Sequence, residues 1–185
     1  MSEAGSPAEA AAGSHPAVVL IGPPGAGKTT VGRLVAEHLG HQFVDTDELI
    51  EQQQGMTVAD IFVEHGEEHF RVLEAEAVAA ALRDAADGVV VAVGGGAPMT
   101  PQTAELLTSV PVVFLSVGIA DAAGRIGFTG ARPLLAVNPR ATWTRLMEQR
   151  RPAYAALATW TVDTAGRPAD EVAAEVAVLT GGDRG

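Results

Sequence analysis

Five short apolar runs recur along the chain, each bounded by turn-forming or polar residues: AVVLI at 17–21, QFVD at 42–45, VVVAV at 89–93, PVVFL at 111–115 and WTVD at 160–163. Their length and β-branched or aromatic content predict buried strands. Between them the apolar positions change to helical spacing, as in Val31, Leu34, Val35 and Leu39, or Phe70, Leu73, Ala77 and Ala81. Strand and helix therefore alternate, which predicts an α/β fold with a parallel sheet covered on both faces. Later in the chain, Trp143, Leu146 and Met147 form a helical stripe whose next position is Arg150. Arg151 points elsewhere, and Pro152 is expected to end that helix.

Composition narrows the class. A length of 185 residues suits one domain with a well-buried core, and 21 glycines suit many tight strand-to-helix turns. The body is expected over residues 16–180, with a disordered extension at 1–15 and a mobile tail at 181–185. The net charge of −11 disfavours nucleic acid and anionic membrane surfaces, because both draw affinity from many Lys and Arg contacts. No apolar stretch approaches the roughly 18 residues of a membrane span. The chain contains no cysteine, so disulfides and thiolate metal sites are excluded and a cytoplasmic location is the simplest expectation. Nothing in the sequence demands an oligomer, and a monomer is expected.

The candidate chemistry begins at GPPGAGKTT, residues 22–30, where Gly22, Gly27, Lys28 and Thr29 complete the pattern G-x-x-x-x-G-K-[ST] between a strand and a helix. Glycines let backbone N–H groups converge on phosphate oxygens, and the helix N-terminus adds a favourable dipole. Lys28 can reach the β and γ phosphates, and the Thr29 hydroxyl suits Mg²⁺. Lys28 is also the only lysine of the chain, so a guanine-reading N-K-x-D element is absent and a GTPase is set aside.

In VDTDELI, Asp45 and Asp47 lie two apart at a strand end, on one side if the strand persists. One of them could hold Mg²⁺ through water while the other accepts a hydrogen bond from the attacking hydroxyl. The competing reading makes Thr46 or Asp47 the cap of a helix beginning at Glu48. Gly94, Gly95 and Gly96 follow a strand at the same sheet edge, leaving bare backbone for a small ligand or simply a turn. Arg71 borders an apolar stripe, and Arg150 ends one. Each could be a surface or snorkelling arginine, or together they could clamp the carboxylate of a small hydroxy acid. Arg125 and Arg132 flank a glycine-containing loop that could close over ATP, one stacking on adenine and the other neutralising the transferred phosphoryl group.

In this order and spacing, GPPGAGKTT, DTDELI, the FR at 70–71, GGGA at 94–97, the ARPLL segment and QRRPAY resemble the shikimate kinases, over about residues 17–179. The resemblance implies a three-layer P-loop kinase fold of the nucleoside-monophosphate-kinase kind. It has a central five-stranded parallel sheet, a lid and a substrate-binding helical region. It also implies transfer of the ATP γ-phosphate to the 3-hydroxyl of shikimate, with Mg²⁺ as cofactor. Gly25, Ala26, Gly27, Lys28, Thr29 and Thr30 would then hold the ATP phosphates, and Thr29 would ligate Mg²⁺ with Asp45 assisting through water. Asp47 would bind the shikimate hydroxyls and act as base, while Arg71 and Arg150 would hold the carboxylate. Gly95, between Gly94 and Gly96, would contact the ring substituents. Lys28 and Arg132 would act on the transferred phosphate, and Arg125 and Arg167, with Pro168, would lie near adenine. Two other readings compete: a related kinase for gluconate or a nucleotide, and an ATP-binding regulatory protein without turnover. A nucleotide acceptor would favour an aromatic base-reading surface, and aromatics are only 4% of the chain.

Overall fold

A computed structural model describes residues 17–85, 87–126 and 138–181. Each apolar run forms a strand within one residue of its expected bounds: β1 (Ala17–Ile21), β2 (Gln42–Asp45), β3 (Val89–Ala92), β4 (Val112–Ser116) and β5 (Trp160–Asp163). All pairs are parallel, and the strands lie side by side in the order β2-β3-β1-β4-β5. Val19 of β1 faces Val91 on one side and Val112 on the other, which fixes β1 at the centre. Every residue of β1 and β3 is buried. Because successive side chains point to opposite faces of a sheet, both faces are covered.

The connection leaving β1 crosses to β2 at one edge, and the connection leaving β4 runs to β5 at the other. Such a reversal opens a crevice at the carboxyl ends of the central strands. The intervening helices are α1 (Lys28–Leu39), α2 (Thr46–Gln54), α3 (Val58–Arg83), α4 (Pro101–Leu107), α5 (Ile119–Ile126), α6 (Pro139–Leu157) and α7 (Ala169–Gly181). α1 packs on α7. A second, smaller core of Ile50, Ile61, Phe70 and Ala77 joins α2 to α3, apart from the main core around the sheet. α3 is broken at Gly66, whose φ of 83° and ψ of 168° no helix contains. Among the described residues no helix is long and apolar enough to cross a membrane.

Pro152 does not end α6, which continues through it to Leu157. An interior proline removes one backbone bond and costs about 3 kcal/mol in an isolated helix. Here Pro152 itself is exposed, and Tyr154 beyond it is fully buried, its ring 5.1 Å from that of Phe114 on β4. Packing beyond the proline outweighs the missing bond.

Candidate active site

The donor side is the turn between β1 and α1. Gly27 precedes α1 in the left-handed region, with φ 86° and ψ 21°, and no side chain caps the helix. The first N–H groups of α1 therefore face the crevice without a side-chain acceptor, an arrangement suited to anionic oxygens. The Lys28 Nζ donates to the carbonyls of Gly22 at 2.8 Å and Pro23 at 3.2 Å, which curls the side chain over the loop. The Thr29 hydroxyl donates to Asp45 Oδ2 at 2.6 Å.

Asp45 also settles the capping question. Its Oδ1 accepts from the N–H groups of Asp47 at 3.0 Å and Glu48 at 3.3 Å, so the cap is Asp45 and α2 begins at Thr46 rather than Glu48. β2 delivers Asp45 to the start of α2 still in extended geometry, as a capping residue requires. The Asp47 carboxylate is left to face the crevice. Thr29 and Asp45 offer a hydroxyl and a carboxylate side by side, a hard-oxygen pair that fits Mg²⁺ completed by phosphate and water. Among the described residues no three His, Cys, Asp or Glu side chains form a group that could hold a metal ion.

The acceptor side assembles on the glycine triplet after β3. A Cβ on Gly94 would stand 3.0 Å from Asp47 Oδ1, one on Gly95 would stand 3.3 Å from Arg150 Nη1, and one on Gly96 would stand 2.5 Å from Arg71 Nη2. Three consecutive residues thus touch the aspartate and both arginines that the sequence singles out. Gly95 also lies against the phosphate loop, 3.2 Å from Pro24 Cδ by the same measure. One cleft of about 330 Å³ is lined by Lys28 and Thr29 from the donor side and by Asp47, Gly94 and Gly95 from the acceptor side.

The two arginines differ in their surroundings. Arg71 Nη1 is ion-paired to Glu74 Oε2 at 2.7 Å and Nη2 to Glu67 at 3.1 Å. Burial works against its charge, but the two carboxylates prevail and raise its pKa. Arg150 is 8% exposed and, among the described residues, makes no ion pair. A buried guanidinium with no carboxylate in ion-pair contact, and Glu74 feeling its charge nearby, attracts an anionic ligand. Glu74 is itself 1% exposed, and its Oε1 lacks a hydrogen-bond partner. Burial pushes its pKa up, Arg71 opposes this, and Asp47 adds to it.

Arg125 donates to the Gly25 carbonyl at 3.2 Å and to the Thr164 hydroxyl and carbonyl at 2.9 and 2.6 Å. Arg167 donates to the Asp163 carbonyl and pairs with Glu171 and Glu175. Both line a second cleft of about 200 Å³ beside the phosphate loop, with Gly27 and Thr30 on its wall. Arg132 lies outside the described residues.

Sequence reasoning missed three residues. Glu74 stands one helical turn from Arg71, at i+3, and that spacing was its signal. Trp143 Nε1 donates to the Pro24 carbonyl at 2.9 Å, tying α6 to the phosphate loop. The Tyr154 hydroxyl donates to the Gly95 carbonyl. Trp143, Met147, Arg150 and Tyr154 complete one buried stripe of α6, but reading Pro152 as a helix end cut it short.

Known proteins match this chain in both sequence and fold. The family model described as shikimate kinase matches residues 24–179. Shikimate kinases of Salinispora arenicola and Thermobifida fusca are each 54% identical over 164 residues, covering 89% of this chain and 97% and 94% of theirs. The solved shikimate kinase from Acinetobacter baumannii in complex with shikimate superposes with a TM-score of 0.84 at 36% identity, covering 89% of this chain and 92% of that one. A gluconokinase from Sinorhizobium meliloti 1021 matches with a TM-score of 0.58 at 19% identity, covering 90% and 91%, and at that distance it speaks for the fold alone. Matched across most of its length, with relatives above half identity, the chain belongs to the shikimate kinase family.

Proposed function

We infer that this protein transfers the γ-phosphoryl group of ATP to the 3-hydroxyl of shikimate, giving shikimate 3-phosphate and ADP. The observation that carries the reading is the glycine triplet, which touches Asp47, Arg71 and Arg150 while lying against the phosphate loop. Asp47, Gly94 and Gly95 share one cleft with Lys28 and Thr29, and the two arginines stand behind the triplet. The planar forks of Arg71 and Arg150 suit the acceptor carboxylate, and Asp47 faces the position where a ring hydroxyl would sit. The Asp47 carboxylate takes up the hydroxyl proton as the new O–P bond forms and the bond to the β-phosphate oxygen breaks. Most of the acceleration comes from holding the two oxygens in line and balancing charge, which Lys28 and the N–H groups of the phosphate loop do. Gly25, Ala26 and Thr30 complete that cradle, Arg125 and Arg167 border the nucleoside side, and Arg132 would act from the lid.

When bound at Thr29 and, through water, Asp45, Mg²⁺ would neutralise charge shared by the β and γ phosphates. The reading extends to one catalytic domain over residues 16–180 acting as a cytoplasmic monomer on small molecules. A net charge of −11 is unsuited to nucleic acid.

Two measurements test it. Phosphorus–proton correlation by NMR should place the product phosphate on the carbon that bears the 3-hydroxyl, and any other position contradicts the assigned reaction. Asp47→Asn should lower kcat by roughly 10²–10⁴-fold with the circular dichroism spectrum unchanged, the range for losing a general base. A folded Asp47→Asn enzyme with near-normal kcat would remove the base role.

A further inference from the structure

Tyr154 is the largest fully buried side chain among the described residues, it adjoins the acceptor side, and the proposed reaction gives it no task. A phenolic hydroxyl has one proton and two lone pairs. Its proton is committed to the Gly95 carbonyl, and a Cβ on that same Gly95 would stand 3.3 Å from Nη1 of Arg150, one turn earlier on α6. The ring is fixed independently, tilted 40° against Phe114 of β4 with centroids 5.1 Å apart. The hydroxyl therefore holds in place the peptide of the glycine triplet against which the buried Arg150 guanidinium lies.

Arg150 needs such a holder. Arg71 is oriented by two carboxylates, whereas among the described residues Arg150 has no ion pair to aim it. A carboxylate at that place would neutralise the charge that the ligand must meet. A phenol that pins the Gly95 peptide holds the surface on which the guanidinium rests and leaves its charge intact. Burial raises the Tyr154 pKa while Arg150 and Arg71 oppose the shift, so the group stays a neutral hydroxyl at ordinary pH.

We propose that Tyr154 is a positioning residue for acceptor binding, fixing Arg150 and the Gly95 peptide relative to each other so that the acceptor carboxylate meets a preset guanidinium. The proposal rests on the reading of Arg150 as a carboxylate ligand. Tyr154 touches neither substrate, and its effect runs through Arg150.

The test is steady-state kinetics on the full chain for wild type, Tyr154→Phe, Arg150→Ala and the double variant, with thermal melting of each. Tyr154→Phe keeps the ring and its packing on Phe114. It should raise the KM for shikimate about tenfold, in line with leaving the buried Gly95 carbonyl without its donor, and leave the KM for ATP within about twofold. In the Arg150→Ala background the same change should add less than about twofold, because residues acting through one contact are not additive. The unchanged KM for ATP certifies that the variant is folded, and should Tyr154→Phe not fold, Tyr154→Leu, which also lacks the hydroxyl, takes its place in the same cycle. A rise shared equally by shikimate and ATP overturns the proposal, as does an unchanged KM for shikimate or a full tenfold effect without Arg150. If Arg150→Ala itself leaves the KM for shikimate unchanged, the carboxylate reading of Arg150 falls and the proposal with it. If Arg150→Ala raises it and Tyr154→Phe does not, only the proposal falls.

Discussion

A single methyl group probes the acceptor loop. A Cβ on Gly96 would stand 2.5 Å from Arg71 Nη2 and 2.6 Å from Nη1, so the guanidinium must leave its place in Gly96→Ala. Misplacing one charged hydrogen-bonding group costs about 1.5–3 kcal/mol, which predicts a shikimate KM raised roughly 10- to 150-fold with the KM for ATP nearly intact. Equal damage to both constants would argue that the triplet serves folding and not the acceptor. Glu74 gives a second residue-scale prediction, with a definite sign. Burial holds its pKa above the ordinary 4.5 despite Arg71, so the folded chain keeps the proton longer than the unfolded one. Its contribution to stability is full below the unfolded pKa and is lost as pH rises through the folded pKa. The unfolding free energy of wild type minus that of Glu74→Gln should therefore fall as pH rises above about 4.5, by at most ~1.4 kcal/mol per pH unit for one proton, because Gln stands in for the protonated side chain at every pH. Urea titrations at several pH values measure it, and wild type gaining stability on the variant as pH rises would contradict the assignment.

At the scale of elements, the strands were legible because each is a short run of β-branched or aromatic residues, buried throughout at β1 and β3, and no competing signal interrupts it. α2 and α6 were read less well, for opposite reasons. At α2 three polar residues, Asp45, Thr46 and Asp47, could each cap, and only the extended backbone of Asp45 decides among them. At α6 the proline signal was local, whereas the force that overrides it, burial of Tyr154 against Phe114, comes from a strand about forty residues earlier in the chain. The break in α3 was also missed, since a lone glycine inside a helical pattern is usually tolerated. Gly66 has φ 83° and ψ 168°, a region that is nearly closed to other residues, and a Cβ there would meet nothing within 4 Å. Gly66→Ala should thus lose about 1–3 kcal/mol of stability through backbone strain alone, measurable by chemical denaturation. A neutral result would show that the break is a soft feature of the helix.

For the molecule as a whole, the placement of the site follows from strand order. β1 and β3 are neighbours, so the phosphate loop after one and the glycine triplet after the other meet at a single sheet edge, and β2 brings Asp45 and Asp47 to it. Motif residues were readable one by one, because phosphate loops, acidic pairs and glycine runs have local spacing rules. Their convergence was not, since contacts such as Arg150 with Gly95 join positions far apart in the chain. The same limit hid Trp143 and Tyr154, which act on backbone carbonyls that no side-chain pattern reveals. The central claim is that this cleft pairs ATP with one acceptor. Its most direct measurement is ADP release from ATP and Mg²⁺ across shikimate, quinate, gluconate and nucleoside monophosphates. ADP release that depends on shikimate and is negligible with the other acceptors is the predicted result; equal or greater release with gluconate or a nucleotide, or none with shikimate, would contradict it.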